Sequence, residues 1–192
     1  MAFAHIVLGI SEGWRQRRTL RLLVQHTPPG RTVLDLQPAM LAERGVAVLV
    51  LDFDGVLAPH GADRPLPEVH AWLRQVVAAL GEEKVFILSN RPHGPRMDWF
   101  RIELPGVRVI SGVRKKPYPD GLVRAGELAN VPLSAILMVD DRLLTGCLAA
   151  ITAGCVPYYV RSPFVDLRQR PRKELFFMLL RWAERRLVRL SP

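Results

Sequence analysis

Five short apolar runs, separated by segments of helical spacing, constrain this chain more than any other feature. The runs are 46–51 (VAVLVL), 84–88 (KVFIL), 106–110 (GVRVI), 134–139 (SAILMV) and 156–160 (VPYYV). Between them lie 66–80, 95–104, 119–130 and 143–155, where apolar residues recur three or four positions apart. Aliphatic runs too short to be helices read as strands buried on both faces. Strands alternating with helices build right-handed βαβ units, and hence a mostly parallel sheet with helices on each side. The sequence therefore predicts a three-layer α/β/α fold of Rossmann-like type.

A length of 192 residues suits one domain with a proper core, and 49% apolar residues is a globular composition. The net charge of +9 sits at the two ends. Residues 1–31 carry five arginines against Glu12, and residues 162–192 carry eight basic residues against Asp166, Glu174 and Glu184. The segment 32–160 is balanced, with thirteen basic and fourteen acidic residues. The chain thus divides into a basic N-terminal flank (1–31), an α/β domain (32–161) and a basic C-terminal helix (162–192). Basic flanks imply an anionic partner, either membrane or nucleic acid. No apolar run is long enough to span a bilayer. The segment WRQRRTLRLLVQ (14–25) reads as an amphipathic helix, with an organellar transit segment as its alternative. Cys147 and Cys155 have no disulfide-framework or metal-binding spacing, and read as small core residues in a reducing compartment.

Chemistry in an open parallel sheet gathers at the carboxyl ends of the strands. The first run ends in Asp52, Phe53, Asp54 and Gly55, the second in Ser89, Asn90 and Arg91, and the fourth in Asp140 and Asp141. The loop after the third carries Lys115 and Lys116. Carboxylates crowded at one edge repel unless a cation neutralises them, and hard oxygen donors suit Mg²⁺. One carboxylate can then attack phosphorus, and its neighbour can exchange a proton with the leaving oxygen if its surroundings raise its pKa. Ser89 and Lys116 can bind phosphoryl oxygens. Gly55 permits a sharp turn that brings amide groups close to phosphate. Arg91 and Arg96 read as headgroup contacts or as part of a solvated loop, and His60, His70 and His93 as surface or loop residues.

The stretches LDFDGVL (51–57), LSN (88–90), KKP (115–117) and VDD (139–141) resemble, in this order, the four motifs of the haloacid dehalogenase superfamily of phosphatases. More narrowly, VLDLQPAMLAERGVAVLVLDFDGVLAP, KKP and DDRLLTG resemble the subfamily IIIA phosphatases of the YqeG family, relatives of the mitochondrial phosphatidylglycerophosphatase. The resemblance spans residues 30–190. It implies Asp52 as the nucleophile that becomes an aspartyl-phosphate and Asp54 as the general acid and base. Ser89 would bind the phosphoryl group and Lys116 would neutralise it. The resemblance gives Mg²⁺ to the carboxylates of Asp52 and Asp140 and to the backbone carbonyl of Asp54, with Asp141 in support. Gly55, Asn90, Arg91 and Lys115 are the expected substrate-binding residues. The chain departs from the narrower family at Val139, Asp141 and Gly146, where that family has Gly, Gln and Asp, and at Val56, where Thr is commoner.

Asp54 to Ser89 leaves room for a loop and one helix, and Ser89 to Lys116 for one helix and one strand. Neither gap holds a cap domain, and an open site favours a large substrate that covers it. The segment 170–190 has apolar residues at 175, 176, 179, 180, 183, 187 and 190, with Arg and Lys on much of the other face. This is the composition of a helix in a membrane interface, or of a basic helix packed on its own domain. The expected function is a Mg²⁺-dependent phosphatase acting on an anionic phospholipid headgroup such as phosphatidylglycerol phosphate. It would work from the cytoplasm on the inner face of a membrane. The alternatives are a soluble or protein-borne phosphate substrate, or a nucleic-acid-binding or scaffold protein with a vestigial site. The intact Asp52/Asp54 pair argues against a vestigial site. Because all four motifs lie upstream, a chain cut before residue 170 is expected to fold.

Overall fold

In a computed structural model of the chain, the described residues are 4–43 and 45–189. The strands are β1 (Val48–Leu51), β2 (Val85–Leu88), β3 (Arg108–Ile110), β4 (Ile136–Asp140) and β5 (Val156–Tyr159). The helices are α1 (Ala4–Arg15), α2 (Arg17–Gln25), α3 (Pro38–Glu43), α4 (Pro67–Leu80), α5 (Gly94–Glu103), α6 (Asp120–Ala129), α7 (Leu148–Ala153) and α8 (Pro171–Arg189). All five strands are parallel, in the order β3-β2-β1-β4-β5. In the central strand, Leu51 is in register with Ile87 on one side and Val139 on the other.

Every residue of β1, β2 and β4 is buried, because helices cover both faces. Leu49, Leu51, Ile87 and Val139 pack with Val69, Leu73 and Val76 of α4 and Phe100 of α5. Val48, Val50, Phe86 and Met138 point the other way, onto Leu122 and Ala125 of α6 and Ala149 and Ala150 of α7. The period-two alternation of a strand makes this division automatic. Only α4 and a short 3₁₀ turn separate β1 from β2, and only α5 separates β2 from β3. The fold is a capless three-layer sandwich, as the sequence predicts.

Two segments carry features that the sequence pattern does not show. The helix expected over 143–155 opens as a π-helical turn, Leu143–Cys147, before α7. Gly146 lies so close to Asp140 Oδ2 that a side chain there would collide with it, so the turn wraps the carboxylate only with glycine at this position. The second is α8, expected either in a membrane interface or packed on its own domain. Its buried residues are Glu174, Arg181, Glu184 and Val188, while Leu175, Phe176, Met178, Leu179 and Trp182 are exposed. Glu174, Arg181 and Glu184 are turned onto the domain, and much of the apolar surface is turned out beside exposed Arg172, Lys173, Arg186 and Arg189. Val188 joins Leu20 and Val24 of α2, and Leu143, Cys147, Leu148 and Tyr159, in a third apolar cluster that seats both flanks on the domain. Cys147 and Cys155 are buried free thiols.

Candidate active site

The sheet delivers its polar strand ends to one edge. Asp52 follows β1 directly, and its N–H donates to Val139 O at 2.9 Å, extending the ladder to β4, whose last residue is Asp140. Lys116 reaches between them. Its Nζ lies 2.9 Å from Asp52 Oδ1 and 2.6 Å from Asp140 Oδ2, and the lysine is only 2% exposed. Burial works against the ammonium charge, but Asp140 and Asp52 outweigh it and push the lysine pKa up. Burial is also the main influence on Asp52. With Asp140 and Asp54 adding to it and Lys116 opposing, its carboxyl is raised from 3.8 to about 7.

Asn90 holds Lys116 from behind. Its Oδ1 accepts from Lys116 N at 2.8 Å and its Nδ2 donates to Lys116 O at 3.3 Å, across from the cis Lys116–Pro117 bond. This amide, expected on substrate, instead clamps the backbone of the lysine. Lys115 is exposed, and with Ser89, Asn90 and Ser111 it lines a cleft beside the site. Ser89 Oγ accepts from Arg91 N at 3.2 Å and from Arg96 Nη1 at 3.3 Å, while the Arg91 side chain is exposed.

Asp54 departs from expectation. Its carboxylate takes a two-pronged contact from Arg96, Nη2 to Oδ1 at 3.0 Å and Nη1 to Oδ2 at 3.2 Å, and Gly61 N donates to Oδ1 at 2.7 Å. Burial would raise this carboxyl, but the Arg96 hydrogen bonds and charge outweigh it and hold the group below its ordinary value. The raised pKa expected of a resting general acid is absent. Arg96 is no solvated loop residue either. It is 2% exposed, stacked 3.6 Å from the centre of the Phe53 ring, and donates to Ala62 O at 2.9 Å. The Gly55 N–H is taken by Ala58 O at 2.7 Å. With φ at +81°, this glycine lets Asp141 Oδ2 approach a position that a Cβ would occupy.

Asp52, Asp140 and Asp141 each bring one carboxylate oxygen within 4.8 Å of the others. Asp141 is 1% exposed, and its Oδ1 has no hydrogen-bond partner among the described residues. Burial raises the Asp141 carboxyl well above its ordinary value; Asp140 and Asp52 add to this and Arg181 opposes it. Three carboxylates offering close hard oxygen donors, one of them with an oxygen left orphaned in the interior, fit Mg²⁺. The side chain of Asp54 lies outside this cluster.

Sequence reasoning missed the inner surface of α8. Arg181 Nη1 donates to Asp141 Oδ2 at 3.1 Å. Glu184 accepts from Arg142 Nε at 2.7 Å and from Leu143 N at 2.9 Å. Glu174 accepts from His60 N at 2.8 Å and lies 3.1 Å from His60 Nδ1. The available signal was that Glu174, Arg181, Glu184 and Val188 share one helical face, and that both acids of the helix lie on it.

His60 is accordingly a buried residue, stacked on Phe177 with ring centres 3.8 Å apart. Burial pulls its pKa from 6.5 down to about 4 despite Glu174. Between these values the unfolded chain binds a proton that the folded chain refuses, so stability is complete above about 6.5 and falls as pH drops towards 4. The slope from this group is at most about 1.4 kcal/mol per pH unit. Denaturant titrations at pH 7 and pH 5 should show the loss, and His60→Gln should flatten it. An unchanged slope in that variant would remove His60 as the cause.

Fold and site together define a parallel α/β enzyme whose candidate nucleophile is a carboxylate at the end of the central strand. Residues 5–154 match the haloacid dehalogenase-like hydrolases, and the chain belongs to that family. No curated protein matches it significantly. Among solved structures it is similar to an uncharacterized protein from Corynebacterium glutamicum ATCC 13032 Kitasato. The identity is 24% over 77% of this chain and 98% of that one, with a TM-score of 0.47.

Proposed function

We propose that this hydrolase is a Mg²⁺-dependent phosphatase of the subfamily IIIA, YqeG type, removing a terminal phosphate from an anionic phospholipid headgroup at a membrane surface. The observation that carries the chemistry is the Asp52 carboxylate held 2.9 Å from a buried lysine and beside Asp140 and Asp141. Mg²⁺ held by these carboxylates would supply the positive charge that lets an anionic phosphate approach them. Asp52 attacks phosphorus, the new P–O bond forming as the bond to the leaving oxygen breaks, and Asp54 gives that oxygen a proton. Water then takes the phosphoryl group from Asp52 and returns the proton to Asp54. Lys116 offsets charge on the phosphoryl oxygens, and the Ser89 hydroxyl orients one of them. Proton donation needs a protonated Asp54, so its pair with Arg96 must loosen during turnover.

The lipid reading rests on the outer surface of α8. Both acids of this helix are turned inward, so its exposed large apolar residues Leu175, Phe176, Met178, Leu179 and Trp182 are accompanied only by basic exposed charges, Arg172, Lys173, Arg186 and Arg189. The neighbouring α1 adds exposed Ile6, Val7, Ile10 and Trp14, and an arginine lies over each exposed tryptophan ring. An apolar face with a cationic rim fits an anionic bilayer, whereas a second copy of the chain would set like charges against each other. No helix among the described residues is long and apolar enough to cross a membrane.

Phosphate release with and without Mg²⁺ tests the chemistry, with phosphatidylglycerol phosphate in vesicles set against nitrophenyl phosphate, nucleotides and phosphopeptides. Preference for a soluble phosphate would remove the lipid, and silence on every substrate would remove the phosphatase. Sedimentation with phosphatidylglycerol vesicles should weaken as salt rises and be lost in Leu179→Glu, with hydrolysis of the small ester unchanged. Vesicle binding by Leu179→Glu equal to that of the wild type, or tighter binding of the wild type to DNA, would overturn the membrane reading.

A further inference from the structure

Arg181 reaches the site from the C-terminal helix, far from all four motifs in sequence. It is 2% exposed, and its hydrogen-bond partner Asp141 is 1% exposed. Charges are tolerated at such depth only when paired. The pairing is one-sided: Asp141 Oδ2 is held, while Asp141 Oδ1 and Arg181 Nη2 have no partner among the described residues. Gly55 closes on the same held oxygen. One oxygen of the carboxylate is therefore bonded to Arg181 and packed against Gly55, and the other is buried without a partner among the described residues.

The same helix holds the next two residues. Glu184 binds the Arg142 guanidinium and the N–H of Leu143, and the N–H of Arg142 in turn donates to Asp140 Oδ1 at 2.8 Å. Residues 140 to 143 are thus gripped in sequence, with α8 as the fixed wall behind them. A carboxylate that binds a cation through one oxygen needs the other held, or it swings between orientations.

We propose that Arg181 is a positioning residue for the cation: it anchors Asp141 through Oδ2 so that Oδ1 is presented to the metal or its water. The proposal rests on the reading of Asp52, Asp140 and Asp141 as a cation site. It makes α8 part of the metal centre, although the helix supplies no ligand.

The test is direct binding of Mn²⁺, followed by electron paramagnetic resonance, together with the Mg²⁺ midpoint for hydrolysis of nitrophenyl phosphate. Arg181→Met should weaken Mn²⁺ about 10–100-fold, the usual scale for losing a ligand's supporting partner. The Mg²⁺ midpoint for hydrolysis should rise by a similar factor, and Arg181→Lys should restore most of the affinity. Arg181→Met combined with Asp141→Asn should bind no more weakly than Asp141→Asn alone, because Arg181 acts through that carboxylate. If Arg181→Met does not fold, Arg181→Gln replaces it, with a smaller loss expected. Wild-type affinity in the folded variant, or full additivity in the double variant, overturns the proposal. Absence of divalent binding by the wild-type protein overturns the cation site itself, and Arg181's role with it.

Discussion

Asp52→Asn should abolish Mg²⁺-dependent phosphate release, by on the order of 10⁴–10⁶-fold, without loss of stability. The amide is a poor nucleophile and a poor cation ligand, so both chemical roles go together. Stability behaves differently because the native site does not favour this charge. Burial, Asp140 and Asp54 raise the Asp52 carboxyl from 3.8 to about 7, so the folded protein binds this proton more tightly than the unfolded chain does. The stabilisation from that proton is full below about 4 and disappears as pH rises through 7. Asn carries no charge at any pH, and Lys116 keeps its contact with Asp140 at 2.6 Å. Thermal melts at pH 8 without divalent cation should therefore place the variant at or above the wild type, and added Mg²⁺ should raise the wild-type Tm more than the variant's. Near-normal turnover in Asp52→Asn would remove the covalent mechanism. Full inactivity with a collapsed Tm would mean that the charge is structural.

The fold was legible because its strands are buried on both faces. Runs such as VLVL and VFIL need no partner information to be recognised, and their polar ends name the functional edge. Lys116 could be told from its neighbour only through the resemblance; in the structure it is buried between two carboxylates while Lys115 is exposed. Partnerships across long sequence separations were not legible. Arg96 and Asp54 are 42 residues apart, Arg181 and Asp141 40, and His60 and Glu174 114. A periodic pattern shows that α8 has two faces but not which one meets the domain. The pattern fits a membrane interface or packing on the domain, and here buried Glu174, Arg181 and Glu184, each with a waiting partner, bring the charged face onto the domain.

That packing changes what removal of α8 should do. Sequence reasoning expects residues 1–169 to fold, since every motif is retained. In the structure the cut strips Arg181 from Asp141, Glu184 from Arg142 and Leu143, and Glu174 from His60. Breaking one buried pair by removing a partner costs about 3–5 kcal/mol, and two ion pairs are broken here. Protonation of Asp141 and partial exposure of Arg142 would soften the cost, but the apolar contact of Val188 is lost as well. An ordinary domain has about 5–15 kcal/mol to lose. The truncated chain should therefore fail to give a cooperative melt, or melt far below the full chain, and should bind no divalent cation. Exposed Leu179 supplies the control, since Leu179→Glu on the outer face should leave Tm unchanged. Adding Asp141→Asn and Arg142→Leu to the truncated chain should recover part of the loss, by replacing stranded charges with neutral groups. A 1–169 chain that melts with the full-length protein would show that the inward face of α8 only rests on the domain and does not hold it.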